Sequence, residues 1–582
     1  MPMNRREFLK TSGIACASLI VGASRISASE PTADLVLVNG TVVTVDPLDS
    51  VVQAIVVKNG RILDIGSDAQ IRRYIGLTTK TIDLKGDTVT PGLIDAHAHL
   101  PVFGQRENGA WVNLQQCKTK DEVLSKLAER TKILPKGEWV SAWGIADMTL
   151  RFLNRDDLDG VSREHPILAT HTGGQWGFTN TLALQISGID KNTPDPPGAK
   201  IGRSMMGTPT GLLLHYQALY LVRRMMPQIS DKKFEEAILF AQNLYAKEGV
   251  TAIHDNFFMV SEINSANFSE KYLAALSSNK MPLRVKIWPY MPNLQEAQRG
   301  ITDIFSGKDP APDSVYRKLA LLRKENPSLF AEIWGGWKLA TDGGGPTALF
   351  YQNLGGLPMH KKEELNEMVK IFHETGQQIS VHAIGDEAVD LTITSFLNAL
   401  KSHPRKDHRH RIEHALVPTP IAFDRMAEHG IVVCTHPQWI YKWVDNSQGL
   451  KMFNEKGRGV IPLKSYLKNN IAVAFGADPP AFPIYRPQLA LWQAVARITE
   501  NKYQLNTSEA IPIKTALRLQ TMGSAYAGFQ EKDLGSIEKG KYADLVVWEE
   551  NFCTAPLNRI KDIKAKMTIV GGSVVYDRNQ ST

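Results

Sequence analysis

Val89-Thr90-Pro91-Gly92-Leu93-Ile94-Asp95-Ala96-His97-Ala98-His99 joins an apolar run, interrupted only by Pro91-Gly92, to two histidines spaced i and i+2. Side chains alternate with period two on an extended strand, so both imidazoles point the same way. Two imidazoles converging from one strand end can grip a divalent transition metal, zinc above all. The competing reading is a pair of surface histidines beside a turn, because short histidine motifs recur by chance.

Seven further apolar runs of strand type follow: Val250–His254, Leu283–Trp288, Gly336–Ala340, Ile379–His382, Arg411–His414, Ile431–Thr435 and Ala472–Ala477. With Val89–Ile94 they make eight, the strand count of a (β/α)8 TIM barrel. Helical stretches such as Lys362–Thr375 and Ala388–Leu400 separate them. The expected fold class is therefore α/β, with the barrel spanning residues 89–530. The interval from about 100 to 248 is too long for one crossover helix and is read as an insertion over the barrel mouth. Both chain ends are β-rich. Asp34–Val38, Thr41–Val45, Ala54–Lys58 and Arg61–Ile65 surround the hairpin signals Asn39-Gly40 and Asn59-Gly60. Ala543–Trp548, Ile569–Val570 and Ser573–Tyr576 close the chain. Residues 33–88 and 534–577 are expected to build one small β-sandwich, since either half alone would lack a core.

Composition narrows the class. The chain has 582 residues, 43% hydrophobic and 22% charged, with a formal charge of +7, which is ordinary for a globular protein. Residues 1–29 hold Arg5, Arg6, Lys10 and Arg25 against Glu7, so net +3 of that charge belongs to the leader. No Lys/Arg cluster has the footprint of a nucleic-acid surface, and no such partner is expected. The leader runs from basic Asn4-Arg5-Arg6-Glu7-Phe8-Leu9-Lys10 through apolar Ile14–Ala23 to small Ser27-Ala28-Ser29. That order is an export signal, too short to span a bilayer, and its paired arginines resemble a twin-arginine signal. The expected location is periplasmic or secreted, with the twin-arginine export machinery as a partner. Of the four cysteines, Cys16 would leave with the leader, and Cys117, Cys434 and Cys553 cannot all pair. Neither a disulfide framework nor a thiolate zinc site is expected.

Barrel enzymes place their chemistry at the C-terminal strand ends. There the runs carry His97 and His99, Lys338, His382, His414 and Asp478. Four imidazoles, a lysine and a carboxylate scattered through the sequence would meet at one mouth. Chance rarely aligns so many ligand-type residues with separately chosen strand ends.

The arrangement resembles the amidohydrolase superfamily, and most closely its amidohydrolase 3 branch, which includes N-substituted formamide deformylases. The resemblance rests on Thr90–His99, His382-Ala383-Ile384-Gly385-Asp386, Arg411-Ile412-Glu413-His414-Ala415, Gly476-Ala477-Asp478-Pro479 and Gly535–Asp544. It implies that His97, His99 and Asp478 bind a buried divalent metal, and that His382 and His414 bind a second. It also implies that Lys338 is carboxylated to an anionic bridging ligand; the alternative is a core-edge lysine paired with Asp342. The implied cofactor is zinc or a similar ion, one or two per chain.

The implied reaction is attack of a metal-activated water on a C–N bond other than a peptide bond, in a small amide, formamide or cyclic amide. Asp478 would serve as base and then acid. A deaminase or C–O hydrolase on the same scaffold is the alternative, and a metal-retaining binding protein without turnover is a third reading. A homodimer is compatible with the sequence.

Two departures from the family pattern fall in the insertion. Gly174-Gln175-Trp176 stands where relatives carry Gly-His, with His171 nearby, and His215 stands where relatives usually place a glutamate. His171, Trp176, His436 and Arg458 are the candidate substrate contacts. Trp176, Phe178, Trp337 and Trp439 are candidates to line the pocket, each weighed against simple core packing. Asp255 is read as structural. His403, His408, His410 and His429 lie in charged surroundings and are expected to be exposed.

Overall fold

The computed structural model describes residues 32–145, 153–227, 229–256, 268–276, 280–312, 314–344, 347–351, 356–442, 459–482 and 484–580. The leader expected at 1–29 and the candidate contact Arg458 lie outside the described residues.

The fold is α/β. Eight parallel strands carry most of the chemistry-bearing residues: β1 (Leu93–Ala98), β2 (Val250–Asp255), β3 (Arg284–Ile287), β4 (Trp337–Ala340), β5 (Ile379–Ala383), β6 (Arg411–His414), β7 (Val432–Thr435) and β8 (Val473–Phe475). They pair in two sheets, ordered β3-β2-β1 and β4-β5-β6-β7-β8. Parallel bridges Ile287–Trp334 and Tyr290–Lys338 lead from the β3 edge to β4. At the other edge Asp478 N donates to His97 O at 2.7 Å, joining the end of β8 to β1. Apart from β3, every residue of these strands is buried. Parallel strands covered on both faces read as continuous apolar runs, which is why the sequence shows them so clearly. Helices Leu294–Phe305, Lys362–Glu374, Asp386–Ser402 and Pro420–Glu428 separate successive strands. Lys362–Glu374 buries Leu365, Met368, Val369 and Phe372, one stripe of an amphipathic helix.

The first run divides differently from expectation. Thr88–Pro91 pairs antiparallel with Leu545–Trp548 in a six-stranded sheet made from both chain ends, and only Leu93–Ala98 joins the parallel set. Gly92 is the pivot. A Cβ there would lie 2.0 Å from Thr251 Oγ1, so only glycine lets the chain pass between the two sheets. A four-stranded sheet, with Leu35–Val38 between Ala54–Lys58 and Lys80–Asp83, shares one core with it through Leu37, Val57, Val89, Leu545 and Ile569.

Asn59-Gly60 makes the expected hairpin, with both residues at positive φ and Lys58 opposite Arg61. Asn39-Gly40 does not. Leu35–Val38 and Thr41–Val43 enter different sheets, and Asn39 at φ +58 is held by Asp68 and Asp83 rather than by a partner strand.

Between β1 and β2 a second six-stranded sheet runs from Val112–Asn113 to Lys200–Arg203, with its own cores around Trp176 and Leu219. Helices Leu100–Glu107 and Asp231–Lys247 flank it in sequence but contribute Phe103, Phe234, Ile238 and Tyr245 to the core of the parallel strands.

His408 and His410, expected to be exposed, are 1% and 0% exposed. Ile379 N donates to His410 Nδ1, so His410 Nε2 carries the proton toward His373 Nδ1 at 2.9 Å, and His373 Nε2 donates to His403 O at 2.6 Å. In parallel, His410 N donates to His408 Nδ1 and His408 Nε2 donates to His429 O at 2.7 Å. Every ring is needed neutral. Burial pushes His373 and His410 below the ordinary histidine range and His408 down to about 4.

The unfolded chain takes up protons below about pH 6.5, whereas the folded cluster resists them. Stability is therefore full above that pH and is lost as pH falls toward 4. Calorimetry of metal-free protein should show Tm dropping by several degrees between about pH 7 and pH 4.5. A Tm constant across that range would contradict a buried neutral cluster.

Candidate metal centre

The β1 strand delivers His97, and His99 follows one residue beyond its end. Two backbone bonds lay the segment after β8 against them: Asp478 N to His97 O, and His99 N to Pro479 O at 3.1 Å. The Asp478 carboxylate thereby meets both rings, Oδ1 lying 3.4 Å from His97 Nε2 and 3.1 Å from His99 Nε2. Asp478 adopts φ +56, a region that non-glycine residues seldom occupy. Asp95 fixes this junction, with Oδ1 accepting from His97 N and Ala477 N and Oδ2 from Tyr245 OH. Burial works against ionisation of Asp478, but His97 and His99 hold its carboxyl well below the ordinary range.

Behind His97 stands Glu413, a group to which the sequence pattern gave no role. Glu413 Oε2 lies 2.6 Å from His97 Nδ1, and both residues are buried. Arg411 forks onto the same carboxylate through Nε at 2.8 Å and Nη2 at 3.1 Å, and Ser380 Oγ donates to it at 2.7 Å. Burial opposes the charge of Glu413, but Arg411 and His97 keep its carboxyl well below the usual range. A carboxylate on Nδ1 fixes the tautomer and leaves the Nε2 lone pair for a metal. The alternation of Arg411 and Glu413 on one strand was the available signal.

His382 Nδ1 lies 2.8 Å from His414 Nε2, and His97 and His414 have ring centroids 5.0 Å apart. Strict alternation would turn His414 away from Glu413's face. Instead His414 at φ +77 and Ala415 at φ +44 bend the strand end, and Tyr466 OH donates to Ala415 O to hold the bend. His436, one residue beyond β7, joins the same group. His414, His436 and Asp478 offer donor atoms within 4.8 Å of one another, as do His97, His99 and Asp478. Trp439 stacks on both His436 and His414, with centroids 4.6 and 5.1 Å away.

Lys338 is fully buried and its Nζ has no hydrogen-bond partner. Burial lowers its pKa to about 8 against the pull of Glu413 and Asp478. The pairing of Lys338 with Asp342 is not made. Asp342 instead accepts from the backbone N–H groups of Leu349, Ile384 and Gly385.

The remaining candidates make other contacts. His171 and Trp176 stack on each other at 4.6 Å in the inserted sheet, and Trp176 and Phe178 belong to that sheet's core. Trp337 stacks on Phe372 of a covering helix. His215 bonds Leu357 O through Nε2. Asp255 is structural, accepting from Leu100 N and Tyr272 OH. A small pocket opens beside His99, lined also by Val102, Trp143, Gly173, Tyr216, Pro480 and Ala481.

The donor set fits a divalent transition ion. Burial keeps His382 and His414 neutral, well below the ordinary histidine range, and neutral imidazole is the ligating form. His414 Nδ1, His436 Nε2 and Lys338 Nζ are buried with no hydrogen-bond partner.

Residues 80–576 match the amidohydrolase family. The chain belongs to that family. This amidohydrolase is 27% identical to the N-substituted formamide deformylase of Arthrobacter pascens, over 94% of this chain and 99% of the relative. It is 30% identical to the Arabidopsis thaliana protein LONG AFTER FAR-RED 3, over 94% and 92%. An uncharacterized metal-dependent hydrolase from Pyrococcus horikoshii OT3 shares the fold, with a TM-score of 0.64 at 22% identity over 90% of this chain and 99% of that one. The protein is a metal-dependent hydrolase of carbon–nitrogen bonds.

Glu413→Gln removes the charge that orients His97 and leaves Arg411 buried without its counter-ion. Chelator competition should show metal affinity falling roughly 10- to 100-fold, and unfolding should show a loss of about 3–5 kcal/mol. Unchanged metal affinity would remove Glu413 from the centre.

Proposed function

We propose that this amidohydrolase cleaves a small amide, formamide or cyclic amide at a zinc-type centre enclosed by a (β/α)8 barrel. The observation that carries the reading is the convergence of His97, His99 and the Asp478 carboxylate, with Oδ1 3.1–3.4 Å from both Nε2 atoms, at the joined ends of β1 and β8. The bridges from β3 to β4 and the bond from Asp478 to His97 support closure of the eight strands into one barrel. His97, His99 and Asp478 would hold one ion, and His382 and His414 a second. Lys338, buried and without a partner, would take up carbon dioxide at Nζ with release of a proton and so supply an anionic oxygen ligand.

A bound divalent ion supplies Lewis acidity, polarising a carbonyl and lowering the pKa of water. Asp478 takes the proton of the attacking water and returns it to the leaving nitrogen. Glu413 keeps His97 in the ligating tautomer.

The relative named N-substituted formamide deformylase supports a formamide-type C–N bond as the one cleaved. The pocket beside His99 is lined by Val102, Trp143, Gly173, Tyr216, Pro480 and Ala481, which bring no charged side chain. That lining favours an uncharged substituent. The leader, by its order of basic, apolar and small residues, supports a periplasmic or secreted location reached through the twin-arginine pathway.

Elemental analysis of purified protein should find about two zinc-like ions per chain. A panel of N-substituted formamides, linear amides and cyclic amides should release amine and acid, cease to do so after chelation and recover with zinc. Asp478→Asn should lower kcat at least about 10³-fold. Failure to bind any ion after reconstitution, or near-normal turnover by Asp478→Asn, would overturn the mechanism.

A further inference from the structure

We propose that His436 is itself a ligand of the metal centre, a fifth imidazole donor, rather than a contact for substrate. The inference rests on the metal-centre reading above and adds a residue to it. His436 is fully buried immediately after β7. Its Nδ1 lies 2.8 Å from Gly476 O. A carbonyl can only accept, so Nδ1 carries the proton and Nε2 presents a lone pair. That lone pair has no hydrogen-bond partner although it is buried. An acceptor sealed from water without a partner is costly, so the site is built to place something against it.

The surroundings say what. His436 shares a donor set with His414 and Asp478 in which the atoms lie within 4.8 Å of one another. An ion with bonds of about 2.0–2.2 Å draws such donors together with small side-chain movements. An imidazole whose Nδ1–H is given to a backbone carbonyl while Nε2 faces the site is the arrangement that metal-ligating histidines adopt.

The ring is also held in place. Trp439 stacks on it at an interplanar angle of 24° and on His414 at 21°. Gly476 packs so closely that a Cβ there would lie 2.6 Å from His97 Cβ and 3.1 Å from His436 Cε1. Gln438 Nε2 donates to the same Gly476 oxygen at 2.7 Å, fixing the acceptor. The pocket beside His99 is lined by other residues, Trp143, Tyr216 and Pro480 among them, and His436 is not part of its wall.

The test uses the full chain loaded with cobalt(II), whose visible d–d absorption reports donor number and type. His436→Ala removes the ring. His436→Asn keeps a side-chain donor for Gly476 O but offers nothing at the Nε2 position. Both variants should show an altered cobalt spectrum and a roughly 10- to 100-fold weaker affinity at one of the metal positions, and added imidazole should restore the spectrum of His436→Ala. An unchanged spectrum and affinity, with a raised KM for amide substrate or with no change at all, would overturn the proposal. Unchanged metal binding with lower thermal stability would make the residue structural and overturn it equally. Should wild type itself bind no cobalt or zinc, the metal-centre reading fails, and that result is distinct from loss confined to the variants.

Discussion

A buried carboxylate, that of Glu413, ties together the elements on which the site depends. It sits on β6, receives Arg411 from the same strand and Ser380 from β5, and reaches His97 on β1. Two opposed charges fully removed from water must satisfy each other with good geometry, or their desolvation outweighs their attraction. Here the guanidinium makes two bonds to the carboxylate and a third to Ala96 O at 2.6 Å. The pair therefore fixes the spacing of strands from both parallel sheets. The orientation of the His97 ring is set by that arrangement, since its Nδ1 is committed to Glu413.

The strand ends are built under local strain. His414, Ala415 and Asp478 all lie in the left-handed region without being glycine. Such conformations persist where surrounding bonds over-determine them, and they gather at functional sites. Tyr466 holds the carbonyl of Ala415, Thr435 Oγ1 donates to His414 O, and the backbone of Asp478 is bonded to β1. Each strained residue thus carries a ligand-type side chain or adjoins one. The bend also resolves a geometric conflict: Glu413 and His414 are neighbours on one strand, yet both must face the same centre.

Much of this architecture is legible in the amino-acid sequence. The eight runs are visible because strands covered on both faces are apolar throughout, and seven of them fall on the strands observed with shifts of a residue or two. The first run misleads because Val89–Ile94 is continuous in hydrophobicity but crosses from one sheet to another at Gly92, and a pattern of burial does not show which partner buries it. Asn39-Gly40 misleads for a related reason. Positive φ at Asn39 serves a passage between sheets, and local turn chemistry does not distinguish that from a hairpin. His408 and His410 have charged neighbours in sequence and so read as surface residues, yet their rings form a closed neutral chain with backbone partners far along the sequence.

What the sequence determined by itself was the kind of chemistry: period-two histidines, apolar strand runs, and ligand-type residues at their ends, all of which are local patterns. Tertiary structure decided which of those groups meet, and how. The distance from Asp478 to His97 and His99, the hold of Glu413 on His97, the unpartnered Lys338 Nζ, and the entry of His436 into the cluster all depend on contacts between residues tens to hundreds of positions apart. Periodicity specifies the face on which a side chain lies. Only the packing of strands distant in sequence specifies what that face meets.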